Sequence, residues 1–135
     1  MQSHLLADKA SLSKIRKLIR FDLVRVGAEQ SVVFDCLVAV TETCARALEG
    51  RAEQRGEPSR VTWKIDRDRA EFCIEDFSER AEPPEGQPGR RFHEVIERET
   101  GLSGLGDDVV AAVMDRVEVD DSSGSRTVTM TKALR

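Results

Sequence analysis

The first fifty residues contain two long stretches in which apolar residues recur at steps of three and four, the period of an amphipathic α-helix. The first stretch runs from Ser11 to about Val26 and ends at Gly27, and the second runs from about Glu29 to Glu49. Each helix has an apolar stripe that must be buried against another layer of structure. The chain is therefore constrained to a fold in which helices cover a second layer.

That second layer is predicted to be a β-sheet formed by the rest of the chain. Alternating apolar and polar residues predict strands at 61–65 and 70–77, which form a hairpin that turns at 66–69. A closing hairpin is predicted from residues 117–119 and 126–130. Segregated helices and adjacent strands predict an α+β two-layer sandwich, with the helices on one face of a mostly antiparallel sheet.

The other segments are predicted to connect these elements. Residues 50–59 and 78–91 combine glycine, proline and charge without periodicity, which predicts loops. A short helix is predicted at 92–98, and a further helix follows GLSGLG, where two acids precede an apolar run. The predicted order is helix, helix, strand, strand, loop, helix, strand, strand, in one domain that spans residues 1–135.

Composition argues against several classes of protein. Hydrophobic residues make up 39% and charged residues 34%, the balance of a globular domain. The net charge of -4 argues against a general nucleic-acid binder, which needs concentrated positive charge. No apolar run approaches the about 20 residues that cross a bilayer, and the N-terminus lacks the pattern of a secretory signal. These observations predict a cytoplasmic location.

The cysteines and histidines predict neither disulfides nor a metal site. Cys36, Cys44 and Cys73 are odd in number and lie in apolar-patterned segments, which favours buried reduced thiols. His4 and His93 are isolated in the sequence, whereas a zinc or nucleophilic site needs partners at defined spacing. Both histidines are expected at the surface.

Three segments resemble the conserved boxes of the GHKL ATPase and kinase superfamily, in the form used by bacterial anti-sigma serine kinases. They are VAVTETCARALEG at 38–50, CIEDFSERAEPP at 73–84 and GLSGLG at 101–106. The final GSRTVTMTKAL is similar to the last strand of that family. The resemblance covers nearly the whole chain, and it implies a GHKL-type fold with ATP as the ligand.

The resemblance also implies roles for individual residues. Asp76 matches the aspartate that accepts a hydrogen bond from the adenine amine, a buried contact that selects the base. Gly101, Gly104 and Gly106 match the glycines that let backbone amides approach the phosphates at a helix start. Thr127, in the segment similar to the last strand, is a further candidate for contact with the nucleotide.

The helix box departs from the family pattern at the metal position. In the family, a glutamate that serves as general base is followed four residues later by an asparagine that binds Mg²⁺. Here the two positions are Glu42 and Arg46, which the spacing places on one helix face. A guanidinium is a fixed positive charge and cannot coordinate Mg²⁺. ATP therefore remains the predicted cofactor, whereas Mg²⁺ does not fit this helix.

Three interpretations of Arg46 remain open. The favoured one is an ion pair with Glu42 across one helical turn. Alternatively, Arg46 contacts the nucleotide phosphates in place of the metal. In the third, the helix face has become a protein-binding surface without a nucleotide. Side chains at 77–80, where the family has glycines, favour that third interpretation.

Two functions are consistent with this sequence. The favoured one is an anti-sigma-factor-like regulator that acts by partner switching, with impaired Mg-ATP catalysis. The alternative is an active kinase that phosphorylates a serine of an anti-anti-sigma antagonist. The resemblance implies a sigma factor, a small anti-anti-sigma STAS-type domain, or both as protein partners. Apolar residues of the first helix that the core does not use are candidates for contact with a sigma-type partner or for a homodimer.

Overall fold

Five strands and three helices make up the part of the chain that the structure, a computed structural model, describes. The described residues are 1–51, 58–76, 105–122 and 125–135. The predicted loop at 78–91 and the predicted short helix at 92–98 lie outside these residues. None of the described helices is long and apolar enough to cross a bilayer.

The strands form one antiparallel sheet beside the helices. In chain order the elements are β1 (Gln2–Leu6), α1 (Lys9–Arg25), α2 (Gln30–Arg51), β2 (Ser59–Ile65), β3 (Arg69–Asp76), α3 (Leu105–Val113), β4 (Arg116–Ser122) and β5 (Ser125–Ala133). The strand order is β1-β2-β3-β5-β4, and every neighbouring pair is antiparallel. The α+β class and the antiparallel sheet are confirmed.

The element order predicted from the sequence was wrong at its beginning, because a strand precedes the first helix. Strand β1 forms an edge of the sheet, with Gln2 opposite Trp63 and Leu6 opposite Ser59. Leu6 is fully buried. The strand's pairing partner lies more than fifty residues away in sequence, so a local pattern gives little signal for it. His4, expected at the surface, is half-buried and stacks its ring on Trp63 with centroids 5.2 Å apart.

All three cysteines are free thiols, as predicted. Cys36 and Cys44 are buried on α2, and burial raises the pKa of each thiol to about 12. Cys73 on β3 is half-buried, and desolvation raises its pKa as well. These thiols therefore remain protonated at neutral pH, and they are poor nucleophiles.

Helix α1 begins with a capping box. The backbone N–H of Ser11 donates to Asp8 Oδ1 at 2.8 Å, and Ser11 Oγ accepts from the backbone N–H of Asp8 at 2.9 Å. The backbone hydrogen bond from Ser11, followed by the bond from its hydroxyl, lowers the pKa of the Asp8 carboxyl. The ionised form of Asp8 therefore stabilises the start of α1.

An Asp8→Ala variant is expected to melt at a lower temperature than the wild type at pH 7, because α1 loses its cap. The folded pKa of Asp8 is depressed, so this stabilisation is present above the ordinary aspartate pKa and lost as pH falls through the folded value. The melting temperatures of the wild type and the variant should therefore approach each other as the pH is lowered through this range. An unchanged difference at low pH would contradict this role, and Asp120→Ala provides an exposed acidic control.

The Asp22 carboxylate links α1 to the sheet. Its Oδ2 atom accepts hydrogen bonds from Trp63 Nε1 at 2.9 Å and from Gln2 Nε2 at 2.7 Å. Trp63 is 1% exposed, so its indole N–H has no access to solvent as an alternative acceptor. This contact positions the helix across β1 and β2.

Replacing Asp22 with alanine is expected to lower the free energy of unfolding by about 1–3 kcal/mol, since the buried indole N–H of Trp63 loses its acceptor. Asp22→Asn keeps an acceptor oxygen and should lose less. Urea denaturation followed by the fluorescence of Trp63, the only tryptophan, measures both variants. Equal losses for alanine and asparagine would show that the hydrogen bond is not the cause.

Candidate functional site

Helix α2, which carries Glu42 and Arg46, lies over strand β5. Asp35 Oδ2 is 3.4 Å from Lys132 Nζ, and Thr43 Oγ1 donates to Met130 Sδ at 3.5 Å. As residue numbers rise along α2, the contacted residue of β5 therefore falls from 132 to 130. The helix runs across the sheet towards the first residues of β5.

Apolar packing holds α2 in this position. The buried residues of the helix are Val33, Cys36, Ala39, Val40, Cys44 and Ala47. Helix α3 packs beside α2, and Lys132 joins the two helices because its Nζ also donates to the carbonyl oxygen of Val113 at 2.6 Å. Glu42 and Arg46 are half-buried one helical turn apart, so neither is a fully solvated side chain.

Asp76 is the last residue of β3, and it is 2% exposed. In the ladder between β3 and β5, Phe72 pairs with Met130 and Asp76 pairs with Arg126. Side chains four residues apart on a strand point to the same face, so Asp76 faces the side that α2 covers. It lies roughly 13 Å along the strand from Phe72, in the direction in which α2 runs.

The structure therefore places Glu42, Arg46 and Asp76 on one side of the sheet. Along its length, α2 passes from the end of β5 that contains Lys132 towards the end that contains Arg126. Asp76, the last residue of β3, pairs with Arg126 at that end. An arrangement with the two carboxylates on opposite faces of the sheet is excluded. These three residues define the candidate site.

Two further residues at this site were missed by the sequence analysis. Ser59 is 1% exposed, and its Oγ donates to Asp76 Oδ1 at 3.4 Å. Arg126 lies directly opposite Asp76 in the ladder and on the same face. A buried carboxylate needs hydrogen bonds or positive charge nearby, and both residues offer these. Ser59 had been assigned to the end of a loop, but it begins β2.

The other predicted site residues are less closely associated with Asp76. Gly106 lies in the first turn of α3, in line with the predicted helix start, whereas Gly101 and Gly104 lie outside the described residues. Thr127 pairs with Glu75 on β3, so its side chain points to the face opposite Asp76. The structure does not bring Thr127 together with Asp76.

Arg46 does not fit the metal position of the helix box. Magnesium is bound by oxygen ligands, and Arg46 at the metal position of the helix box offers only hydrogen-bond donors. Within the described ranges, no group of three or more His, Cys, Asp and Glu side chains is placed to hold a metal ion. Asp76 is a buried hydrogen-bond acceptor, and Arg46 carries a positive charge of the kind that phosphates bind.

Comparisons with known proteins agree with the fold and with the sequence resemblance. Residues 5–132 match the family of histidine kinase-like ATPase domains, and the chain belongs to this family. It is also similar to a chain of the crystal structure of the SiaB-SiaC complex from Pseudomonas aeruginosa. That alignment has 12% identity and a TM-score of 0.69, and it covers 98% of this chain and 89% of that chain. No curated protein matches the sequence.

The family match confirms the resemblance to GHKL ATPases that the three sequence boxes indicated. At 12% identity, the structural likeness shows the shared fold. The family therefore rests on the family match, and the structural likeness supports the fold class. The catalytic state and the partner depend on residues at the site.

Proposed function

We propose that this chain is a regulatory protein that binds ATP without Mg²⁺ and acts by binding a protein partner. The observation that carries this proposal is the buried Asp76, which lies on the side of the sheet that α2 covers. Arg46, on α2, occupies the position that the resemblance assigns to the family's metal ligand. Under this proposal, Asp76 recognises the base, and Arg46 replaces the asparagine that the resemblance implies as the metal ligand.

Asp76 is proposed to accept a hydrogen bond from the adenine amine. Its burial makes this contact selective, because a base that presents an acceptor at that position would face the carboxylate oxygens without donating a hydrogen bond. The hydroxyl of Ser59 contacts Oδ1 from the neighbouring strand. An ionised carboxylate has about four acceptor positions, so this hydrogen bond is compatible with an adenine amine.

Arg46 is proposed to contact the phosphates. A guanidinium forms charge-assisted, often paired hydrogen bonds with phosphate oxygens, and a half-buried position strengthens them. Gly106 lies in the first turn of α3, where backbone amides and the helix dipole favour an anion. Phosphoryl transfer relies on metal stabilisation of developing charge, so catalysis is impaired even though Glu42 is retained.

Protein binding is the second part of the proposal. The similar solved structure is described as a complex of two proteins, SiaB and SiaC. The resemblance to anti-sigma kinases implies partner switching between a sigma factor and an anti-anti-sigma STAS-type domain. We propose a partner of this kind, with the bound nucleotide setting the affinity. Glu42 on α2, which matches the family's general base, favours the alternative of an active serine kinase.

Thermal melts of the purified protein alone, with ATP plus EDTA, and with MgATP test the proposal. A ligand that binds the native state at about 1,000 times its Kd stabilises it by about 4 kcal/mol. We expect a similar rise in Tm with and without the metal. A rise that requires Mg²⁺ would support the active kinase. No rise under either condition would reject nucleotide binding and leave a pure binding module.

A further inference from the structure

Helix α1 presents a basic and apolar surface that no described element covers. We call it the α1 basic face, and it consists of Lys14, Lys17, Arg20, Phe21 and Val24. Phe21 is 63% exposed and Val24 is 59% exposed. Their spacing from Lys17, four and seven residues, places them along one side of the helix. The opposite side packs into the core through Ile15, Ile19 and Leu23.

Positive charge is concentrated on this helix. The segment Lys9–Arg25 contains six basic residues and a single acid, Asp22, whereas the whole chain has a net charge of -4. That acid already accepts hydrogen bonds from Trp63 and Gln2. Among the described residues, the three cations of the α1 basic face form no ion pair. The positive charges of the α1 basic face are therefore not paired with a negative charge within the described residues.

We infer that the α1 basic face docks an acidic, amphipathic segment of a protein partner. Apolar side chains of that segment would cover Phe21 and Val24, and its carboxylates would meet Lys14, Lys17 and Arg20. Such a pairing of an apolar centre with complementary charge at the rim is the usual anatomy of a protein interface. The inference rests on the protein-binding part of the proposed function, and it is independent of ATP binding.

Two other occupants fit this face less well. A two-fold contact with a second copy would bring the same basic patch against itself, and like charges would repel. A membrane-surface helix buries a whole apolar side in the lipid, but the apolar side of α1 is already used by the core. On α1, the exposed large apolar side chains that remain for a bilayer are Phe21 and Val24. An acidic protein segment satisfies both the charge and the small apolar centre.

Fluorescence polarisation with the full chain tests the inference. The probe is a labelled helical peptide of about 18 residues made of Glu and Leu, and its matched control has Lys in place of Glu. We expect the Glu peptide to bind and the Lys peptide not to bind, with binding weakened by added salt. Lys17→Glu and Phe21→Ala should each raise Kd roughly tenfold. Lys64→Glu and Leu5→Ala, two exposed positions outside α1, are the matched controls and should leave Kd unchanged.

The opposite results would overturn the inference. The inference is wrong if the Glu peptide does not bind. It is also wrong if the α1 variants and the control variants change the Kd of the Glu peptide equally. Tighter binding to vesicles of phosphatidylserine and phosphatidylcholine that depends on Lys17 and Phe21 would assign the face to a membrane. A dimer in sedimentation velocity that these variants dissociate would assign it to a second copy. If the peptide fails but ATP still raises Tm, this inference alone falls, whereas loss of the ATP effect rejects the nucleotide site.

Discussion

Replacing Arg46 with asparagine is expected to make ATP binding depend on Mg²⁺. The variant loses the guanidinium proposed to contact the phosphates, so its Kd for ATP in EDTA should rise by roughly tenfold to a hundredfold. It gains an oxygen ligand one helical turn from Glu42, the spacing that the resemblance to GHKL ATPases implies for the metal ligand. With MgATP, tight binding should return. Isothermal titration calorimetry under both conditions measures the two affinities.

An Arg46→Lys variant is the matched control for this experiment. Lysine keeps a positive charge but provides no metal ligand, so its binding should weaken in EDTA and gain nothing from Mg²⁺. An Arg46→Asn protein with the same affinity as the wild type in both conditions would contradict the assignment. In that case the guanidinium would have no role at the phosphates.

Replacing Asp76 with alanine is expected to abolish measurable ATP binding, with a rise in Kd of at least about a hundredfold. The adenine amine would then lie in a buried site without a hydrogen-bond acceptor, and a buried unpaired donor is strongly unfavourable. The measurement is the same titration in EDTA. Because Asp76 is buried beside Ser59, urea denaturation must also establish that the variant is folded.

Glu75→Ala is the matched control for Asp76, because the preceding residue carries the same charge on the opposite face of β3. Its affinity for ATP should equal that of the wild type. A folded Asp76→Ala protein that still binds ATP would show that the base is read elsewhere. Equal losses in both variants would indicate a general effect of negative charge rather than a contact with adenine.

Local periodicity in the sequence was sufficient to predict the two long helices, α1 and α2. The predicted first helix, 11–26, differs from the observed Lys9–Arg25 by one or two residues, because its apolar stripe is formed by near neighbours. The same holds for β3, where alternation extends to the buried Asp76. The resemblance to GHKL ATPases was also readable, since its boxes are short contiguous segments, and the family match over residues 5–132 confirms the family.

What the sequence analysis missed depends on strand pairing between distant residues. Strand β1 and the position of Arg126 opposite Asp76 follow from pairings that cross about fifty residues or more of chain. No local period encodes such a register. The face of Thr127 was readable in principle, because Val128 and Met130 alternate with the threonines and mark the side that the helices cover.

The most direct test of the nucleotide site compares ATP with GTP in the presence of EDTA by calorimetric titration of the wild-type protein. Guanine carries a carbonyl oxygen where adenine carries its amine, so it presents an acceptor to the buried Asp76 carboxylate. We expect ATP to bind without metal and GTP to bind at least about a hundredfold more weakly. Equal affinities for the two nucleotides, or no binding of ATP without Mg²⁺, would contradict it.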